Sequence, residues 1–322
     1  MSYPQTQLLP RTIESLLQEK HDHHQAGQLL DIQSGDQDAY NVSSPFIYEG
    51  KEYIFARLEA RKSDRNTVSV VLEHNQSGSW TAVQDFDPLP LQDPFVKKVH
   101  DKWVAGGVRY YPDRPGSGNW ETHIYTGNSP FDLEPYLVGP YGMKDVRLFP
   151  MNDGRVGVLT RPQGKVGGLG KVGIYIANSL DEVNAEDMTK APIINELFDH
   201  SSGEWGGASD AYDLGGNDGY VGIIGHIARR VYNPQTGRYD REYYGHSWVL
   251  NLGSLAVCEE SILACRECFP ATEAKYPDLG KVVFPGGVRV ENKRNVVYCG
   301  LNDVAAGKVT VELPFAVPEA DT

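Results

Sequence analysis

From residue 44 onward, short apolar runs of strand length alternate with clusters of Gly, Pro, Asn and Asp. That punctuation suits β-strands joined by tight turns and leaves no room for long helices. One unit recurs: an apolar strand, a two-residue polar turn, a second apolar strand, then a loop and further strands. Its clearest copies are SSPFIYEGKEYIFARLE, QDPFVKKVHDKWVAGGVRYY, KDVRLFPMNDGRVGVLTRPQG, SDAYDLGGNDGYVGIIGHIARR and VVFPGGVRVENKRNVVYCGLND. The turns fall at Glu49-Gly50, His100-Asp101, Asp153-Gly154, Asp218-Gly219 and Asn292-Lys293. Such pairs tolerate positive φ, which two-residue hairpins require.

Five units at intervals of about fifty to seventy-five residues predict radial repetition of four-stranded blades. The expected fold class is therefore all-β, a five-bladed β-propeller over 36–322, with a short helical or irregular N-terminal extension over 1–35. A β-sandwich with long insertions is the competing architecture. Residues 11–30 read as a helical stretch, with Ile13, Leu16, Leu17, Leu29 and Leu30 as its apolar side. A short helix is also expected within 254–280.

Composition adds little to the fold and more to the partners. The 34 Gly and 20 Pro are spread along the 322 residues, as many short elements require. The 18 Tyr and 5 Trp suit strands and also suit surfaces that stack sugars. A formal charge of -13 argues against nucleic acid or an anionic membrane as partner, yet leaves a small anion open, since a local Arg cluster suffices to hold one. No segment has the roughly 18 apolar residues of a membrane span, and the N-terminus lacks the basic start and apolar core of a signal peptide. A cytoplasmic protein with reduced cysteines is expected. Cys265 and Cys268 form a lone C-x-x-C without a second ligand pair. The run His21-Asp22-His23-His24 places adjacent residues on different helix faces and reads as solvated, so no metal is expected.

In a propeller the innermost strands line a central channel, and polar residues at their ends converge on the axis. Asp93, Asp145, Asp210 and Asp303 each sit beside a recurrent hairpin in four different units. Crowded carboxylates raise one another's pKa, which is one way to make a general acid.

These hairpins resemble those of glycoside hydrolase family 130, the β-mannoside phosphorylases and β-mannosidases. The resemblance spans about 40–315 in the family's order. NVSSPFIYEGKEYIFARLEAR supplies Asn41 and Arg57, and QDPFVKKV supplies Asp93 in the place of the family's acid. KDVRLFPMNDGRVGVLTRPQG is the most specific match and carries Lys144, Asp145 and Arg161. IIGHIA carries His226, and VYCGLNDVAAGKVTV carries Asp303. The chain departs from the family where Glu204 or Trp205 stands near a phosphorylase lysine, where Gly225 replaces a tyrosine, and where Phe95 replaces an arginine.

The resemblance implies cleavage of a β-glycosidic bond, β-mannosidic by analogy, with inversion at the anomeric carbon. Asp93, Asp145 and Asp210 are the candidate catalytic carboxylates. Asn41, Arg57, Lys144, Arg161, Glu204, His226 and Asp303 are the candidate substrate- or phosphate-binding residues. The nucleophile is phosphate held by Arg57, Arg161 and His226, or water activated by Glu204 or Asp210, and the lost lysine favours water. Inorganic phosphate is thus the only small co-substrate implied, and a small carbohydrate the partner. A donor must hold its proton near neutral pH, so burial and Asp145 or Asp303 are expected to raise Asp93, with the arginines on the nucleophile side. A non-catalytic sugar-binding or scaffold propeller is the alternative.

Overall fold

A computed structural model describes residues 11–19, 26–63, 65–114, 118–194, 197–215 and 219–317. The chain is an all-β, five-bladed propeller. The first blade is built from Gln37–Tyr40, Phe46–Tyr48, Lys51–Ala60, Val68–His74 and Trp80–Ala82, and the second from Gln92–Val99, Lys102–Tyr110, Trp120–Ser129 and Asp132–Val138. The third has three strands, Arg147–Pro150, Val156–Thr160 and Gly173–Ala177, with the helix Ala185–Lys190 beside it. The fourth comprises Trp205–Gly215, Tyr220–Asn233, Arg238–Asn251 and Val257–Ala264. The fifth comprises Lys281–Glu291, Arg294–Leu301 and Ala305–Val311.

Two short pairings knit the ring. Gln28–Leu29 adds to the outer strand of the fifth blade through Lys308 and Gly307, and Ile32–Gln33 runs parallel to Trp80 and Thr81 of the first. The fourth and fifth blades are joined by a parallel register of Glu242 and Tyr243 with Lys281 and Val282. These contacts give edge strands backbone partners they would otherwise lack.

The period of two places the core between blades. On Lys51–Ala60, Ile54, Ala56 and Leu58 face the fifth blade's Val296 and Tyr298. Tyr53 and Phe55 face the second blade's Val96, Trp103 and Ala105. The second blade's other face, with Phe95, Val99 and Val104, packs on Leu148, Val156 and Val158 of the third. Alternate residues of one strand thus belong to two different apolar layers, as pleating dictates.

The expected turns are borne out wherever they lie on described residues. Glu49, His100 and both Asn292 and Lys293 take positive φ, as do Gly50, Gly154 and Gly219. Asp218 and the run 21–24 lie outside the described residues.

The helical expectation over 11–30 is corrected: the helix is Ile13–Glu19, and Gln28–Leu29 is strand. The Gly27 amide donates to the Cys268 carbonyl and the Leu30 amide to Ala306, so blade edges outcompete helix propensity there. Within 254–280, Val257–Ala264 is strand, and only the turns Arg266–Cys268 and Pro277–Leu279 are helical. Among the described residues no helix is long and apolar enough to cross a membrane, and no group of three His, Cys, Asp or Glu could hold a metal.

Candidate active site

The innermost strands of the first three blades begin alike. Asn41, Asp93 and Asp145 precede or open them in the left-handed backbone region, with φ of 46°, 50° and 59°. Asp303, after the middle strand of the fifth blade, has φ 57°. Asn and Asp tolerate this region better than other residues with a Cβ, and such strain clusters at functional sites.

All three side chains at the inner strands are buried, and two of them meet. Asn41 Nδ2 donates to Asp93 Oδ1 at 2.6 Å, and Arg57 Nη1 donates to the same oxygen at 3.1 Å. Arg57 is itself gripped from behind by Glu59 Oε2, which accepts from its Nε and Nη2 at 3.2 and 2.9 Å. Glu59 also accepts from Thr67 Oγ1 at 2.6 Å and bonds Tyr40 and the buried Lys275. Across the axis, Arg161 Nη1 lies 3.4 Å from Asp145 Oδ2, and Arg161 Nε donates to the Gly206 carbonyl at 2.5 Å.

Glycine brings Arg161 to His226. Gly207 pairs with His226 in the fourth blade, and a Cβ there would sit 2.8 Å from Arg161 Cδ and 2.9 Å from His226 Cε1. Any side chain at 207 would push the two apart. Gly225 is explained in the same way, since a Cβ at 225 would lie 2.1 Å from the Gly207 carbonyl oxygen.

Sequence reasoning missed Arg147, though it lies within the K-D-V-R-L-F-P run. Its guanidinium donates to Ser209 O at 3.1 Å, Val146 O at 3.0 Å and Asp93 O at 3.5 Å, and lies 4.8 Å from the Phe95 ring centre. An aromatic at 95 thus supports an arginine supplied by the next blade. Glu59, Tyr40 and Lys275 were missed as well. Only their joint burial reveals them.

The electrostatics correct one expectation. Burial pushes Asp93 up, but Arg57, Lys144 and the Asn41 hydrogen bond outweigh it, and its pKa falls below the ordinary carboxylate value. Arg57 is on Asp93, not on an opposite side. Asp145 is likewise lowered: burial opposes ionisation, and Lys144, Arg161 and Arg147 prevail. The raised carboxyl is Asp303, pushed up to about 6 by burial, with Asp93 adding to the effect against Arg57. His226 is held well below its usual range by burial and by Arg161 and Lys144, so it is neutral at neutral pH.

Asp210 and Glu204 turn elsewhere. Asp210 accepts from Lys97 Nζ at 2.7 Å, Tyr212 Oη at 2.6 Å and the Ala211 amide. It lines a cavity of about 340 Å³ formed by later residues of the inner strands, including Phe46, Lys97, Tyr212 and Arg289. Arg147 is its electrostatic link to the cluster.

Glu204 Oε1 accepts the Ile13 amide at 2.9 Å, tying the N-terminal helix to the fourth blade. Burial pushes Glu204 up to about 7, with Glu14 and Asp199 adding to it. A carboxyl raised in the fold stabilises it most below its ordinary value of 4.5, and that contribution is lost as pH rises through about 7. Glu204→Gln keeps an oxygen for Ile13 and cannot ionise. The variant is expected to melt above the wild type at pH 8, with the gap closing toward pH 5 in a melting series. A gap independent of pH would show that Glu204 does not titrate in this window.

The propeller has the fold of the glycoside hydrolase family 130 proteins, with Asx residues at the starts of the inner strands of its first three blades. Residues 17–317 match the family described as "Protein of unknown function (DUF1861)", and the chain belongs to it. A mannose phosphorylase of Leishmania mexicana, solved with a phosphate ion, is 31% identical over 94% of this chain and 92% of its own, with a TM-score of 0.82. A GDP-Man-dependent mannosyltransferase of the same organism is 26% identical over 97% of each chain, at 0.84. The β-1,2-mannobiose phosphorylase of Listeria innocua shares the fold at 13% identity, covering 85% and 89%, with a TM-score of 0.59. No curated protein matches the sequence.

Proposed function

We propose that the protein is a phosphorylase of β-mannosides, moving a mannosyl group between a sugar hydroxyl and inorganic phosphate with inversion. The observation that carries this is the character of the cluster. In a chain of net charge -13, Arg57, Lys144, Arg147, Arg161 and Lys275 outnumber Glu59, Asp93, Asp145 and Asp303. Arg161 Nη1 and His226 Nδ1 are buried without a hydrogen bond. Buried polar atoms of this kind call for a polar ligand, and guanidinium suits phosphate. The phosphate-bound relative at 31% identity supports the choice of nucleophile.

In this reading Asp93 gives its proton to the leaving sugar oxygen while an oxygen of HPO₄²⁻ attacks the anomeric carbon from the opposite face. The C–O bond to the leaving sugar breaks as the C–O bond to phosphate forms. The products are the sugar alcohol, α-mannose 1-phosphate still carrying its proton, and ionised Asp93, so atoms and charge balance. The ester's proton then resets the acid. Lys144, Arg161 and neutral His226 hold the phosphate, Asn41 and Arg57 fix Asp93, and Asp303 binds the sugar beside it.

The test is incubation with a β-linked mannobiose with and without inorganic phosphate, followed by ³¹P NMR. Mannose 1-phosphate is expected, formed only with phosphate. Arg161→Ala should raise the KM for phosphate by about 10- to 100-fold, the loss of one charged hydrogen-bonding partner. Free mannose released without phosphate would make the protein a hydrolase. Transfer of mannose from GDP-mannose to a sugar acceptor, with no reaction with phosphate, would make it a transferase, and sugar binding without turnover a binding propeller.

A further inference from the structure

Beside the phosphate-binding cluster lies a band of aromatic and apolar surface that the chemistry above does not use. Trp120 opens the third strand of the second blade and is half-buried. Its ring centre lies 5.9 Å from Lys144 Nζ. Its indole N–H donates both to the Gly142 carbonyl at 3.1 Å and to Gln163 Oε1 at 3.2 Å, and Gln163 stands two residues beyond Arg161. The main chain is fastened to the same place, with the Gly142 amide donating to Trp120 O at 2.8 Å. The indole is therefore held at its polar edge by loops on both sides of the second and third blades.

The surroundings extend this surface. Tyr141, next to Gly142, is 53% exposed, and Leu169 is 46% exposed. Leu169 lies on the turn that covers Arg161, where a Cβ at Gly170 would sit 2.6 Å from Arg161 Nη2.

We infer that Trp120 is the stacking platform for the sugar that carries the leaving oxygen, and so sets specificity for the acceptor. This rests on the phosphorylase reading for the name of that sugar. An aromatic face is electron-rich and attracts the C–H face of a pyranose, while the hydroxyls at the ring's edge need polar partners. Lys144 Nζ lies over one face of the indole and Gln163 Oε1 at its N–H edge, so the sugar stacks on the opposite face with these two groups at its border. The ring cannot turn away without losing both N–H bonds, so the platform is set before the sugar arrives. Phosphate is held by cations and gains nothing from the indole. The two ligands should therefore separate cleanly on substitution.

The experiment uses the full chain in the synthetic direction, with mannose 1-phosphate as donor and β-linked mannobiose as acceptor. Trp120→Ala should raise the KM for mannobiose at least about tenfold and leave the KM for mannose 1-phosphate within about twofold. Trp120→Phe should recover most of the loss. An unchanged acceptor KM, or equal rises in both constants, would overturn the platform.

A second measurement does not need turnover. Mannobiose should alter the tryptophan emission of the wild type and leave that of Trp120→Phe, which keeps the other four Trp, unaltered. If the wild type makes no mannose 1-phosphate but this difference appears, the platform stands and the phosphorylase reading fails. No emission change in the wild type at saturating sugar, or the same change in Trp120→Phe, would sink the platform.

Discussion

Asp93→Asn should lower turnover of a β-mannoside by at least about 10²-fold while sugar binding survives, because general acid catalysis contributes about 10²- to 10⁴-fold. Asparagine keeps the volume and can still accept from Asn41 and Arg57, the two groups that fix Asp93 Oδ1 at 2.6 and 3.1 Å. The side chain that must donate a proton is, however, held ionised by Arg57 and Lys144 in the absence of ligand. Entering phosphate supplies the missing step in this reading. A dianion beside Lys144 and Arg161 offsets the cations that depress Asp93, and burial then drives its pKa up. Phosphate binding and proton uptake are thus linked, and by reciprocity phosphate binds more tightly as pH falls toward the pKa. Calorimetric titration with phosphate in two buffers of different ionisation enthalpy should show proton uptake by the wild type and much less by Asp93→Asn. Unchanged turnover in Asp93→Asn would remove Asp93 from the mechanism. A full loss in Asp303→Asn alone would pass the role to Asp303, whose carboxyl is already raised to about 6.

What could be read from the sequence follows from where each signal lives. Hairpins are local: Asn292-Lys293 or Glu49-Gly50 needs only its own backbone preference to show, so five blades were legible from turns and alternation. Asn41, Asp93 and Asp145 were legible because each starts an inner strand, and position along the strand fixes which end of the axis it reaches. The third blade's missing fourth strand was not legible, because its outer strand is met only by a short antiparallel bridge, Gly173 with Ile193, just after the helix Ala185–Lys190. Charge partners were the least visible. Lys275 reaches Glu59 across 216 positions of sequence, and no spacing rule links them. Arg57 was taken to oppose Asp93 across the site, since a free arginine would have depressed a donor. Its fork is instead shared between Glu59 and Asp93. Glu204 was a candidate because it falls near the place of a family lysine, yet one oxygen of its carboxylate is engaged by the amide of Ile13.

The largest expected loss of stability comes from the inner end of that charge chain. Lys275 is 1% exposed and Glu59 is fully buried. From the core outward the charges alternate: Lys275, Glu59, Arg57, Asp93. Each carboxylate is flanked by cations, which is how four ions can sit in a region of low dielectric. Lys275→Met keeps the length of the side chain and removes the first charge. Glu59 then faces Arg57 alone, with an oxygen that has lost its ammonium partner. Removing one member of a buried ion pair costs about 3–5 kcal/mol, which in a domain of this size lowers Tm by on the order of 10 °C. The double variant Lys275→Met/Glu59→Gln leaves no stranded charge, and its one amide oxygen can accept from Tyr40 or from Thr67, which meet different oxygens of Glu59. It should melt well above Lys275→Met alone. If the two variants melt together, the loss comes from the packing of the lysine stem and not from its charge. Activity separates the same alternatives at the site. With Glu59 neutral, Arg57 keeps its bond to Asp93 and its place 4.8 Å from the centre of the Tyr40 ring but loses the carboxylate charge at position 59. The double variant should therefore regain stability without regaining full kcat, since Arg57 no longer has the carboxylate that aims its fork at Asp93.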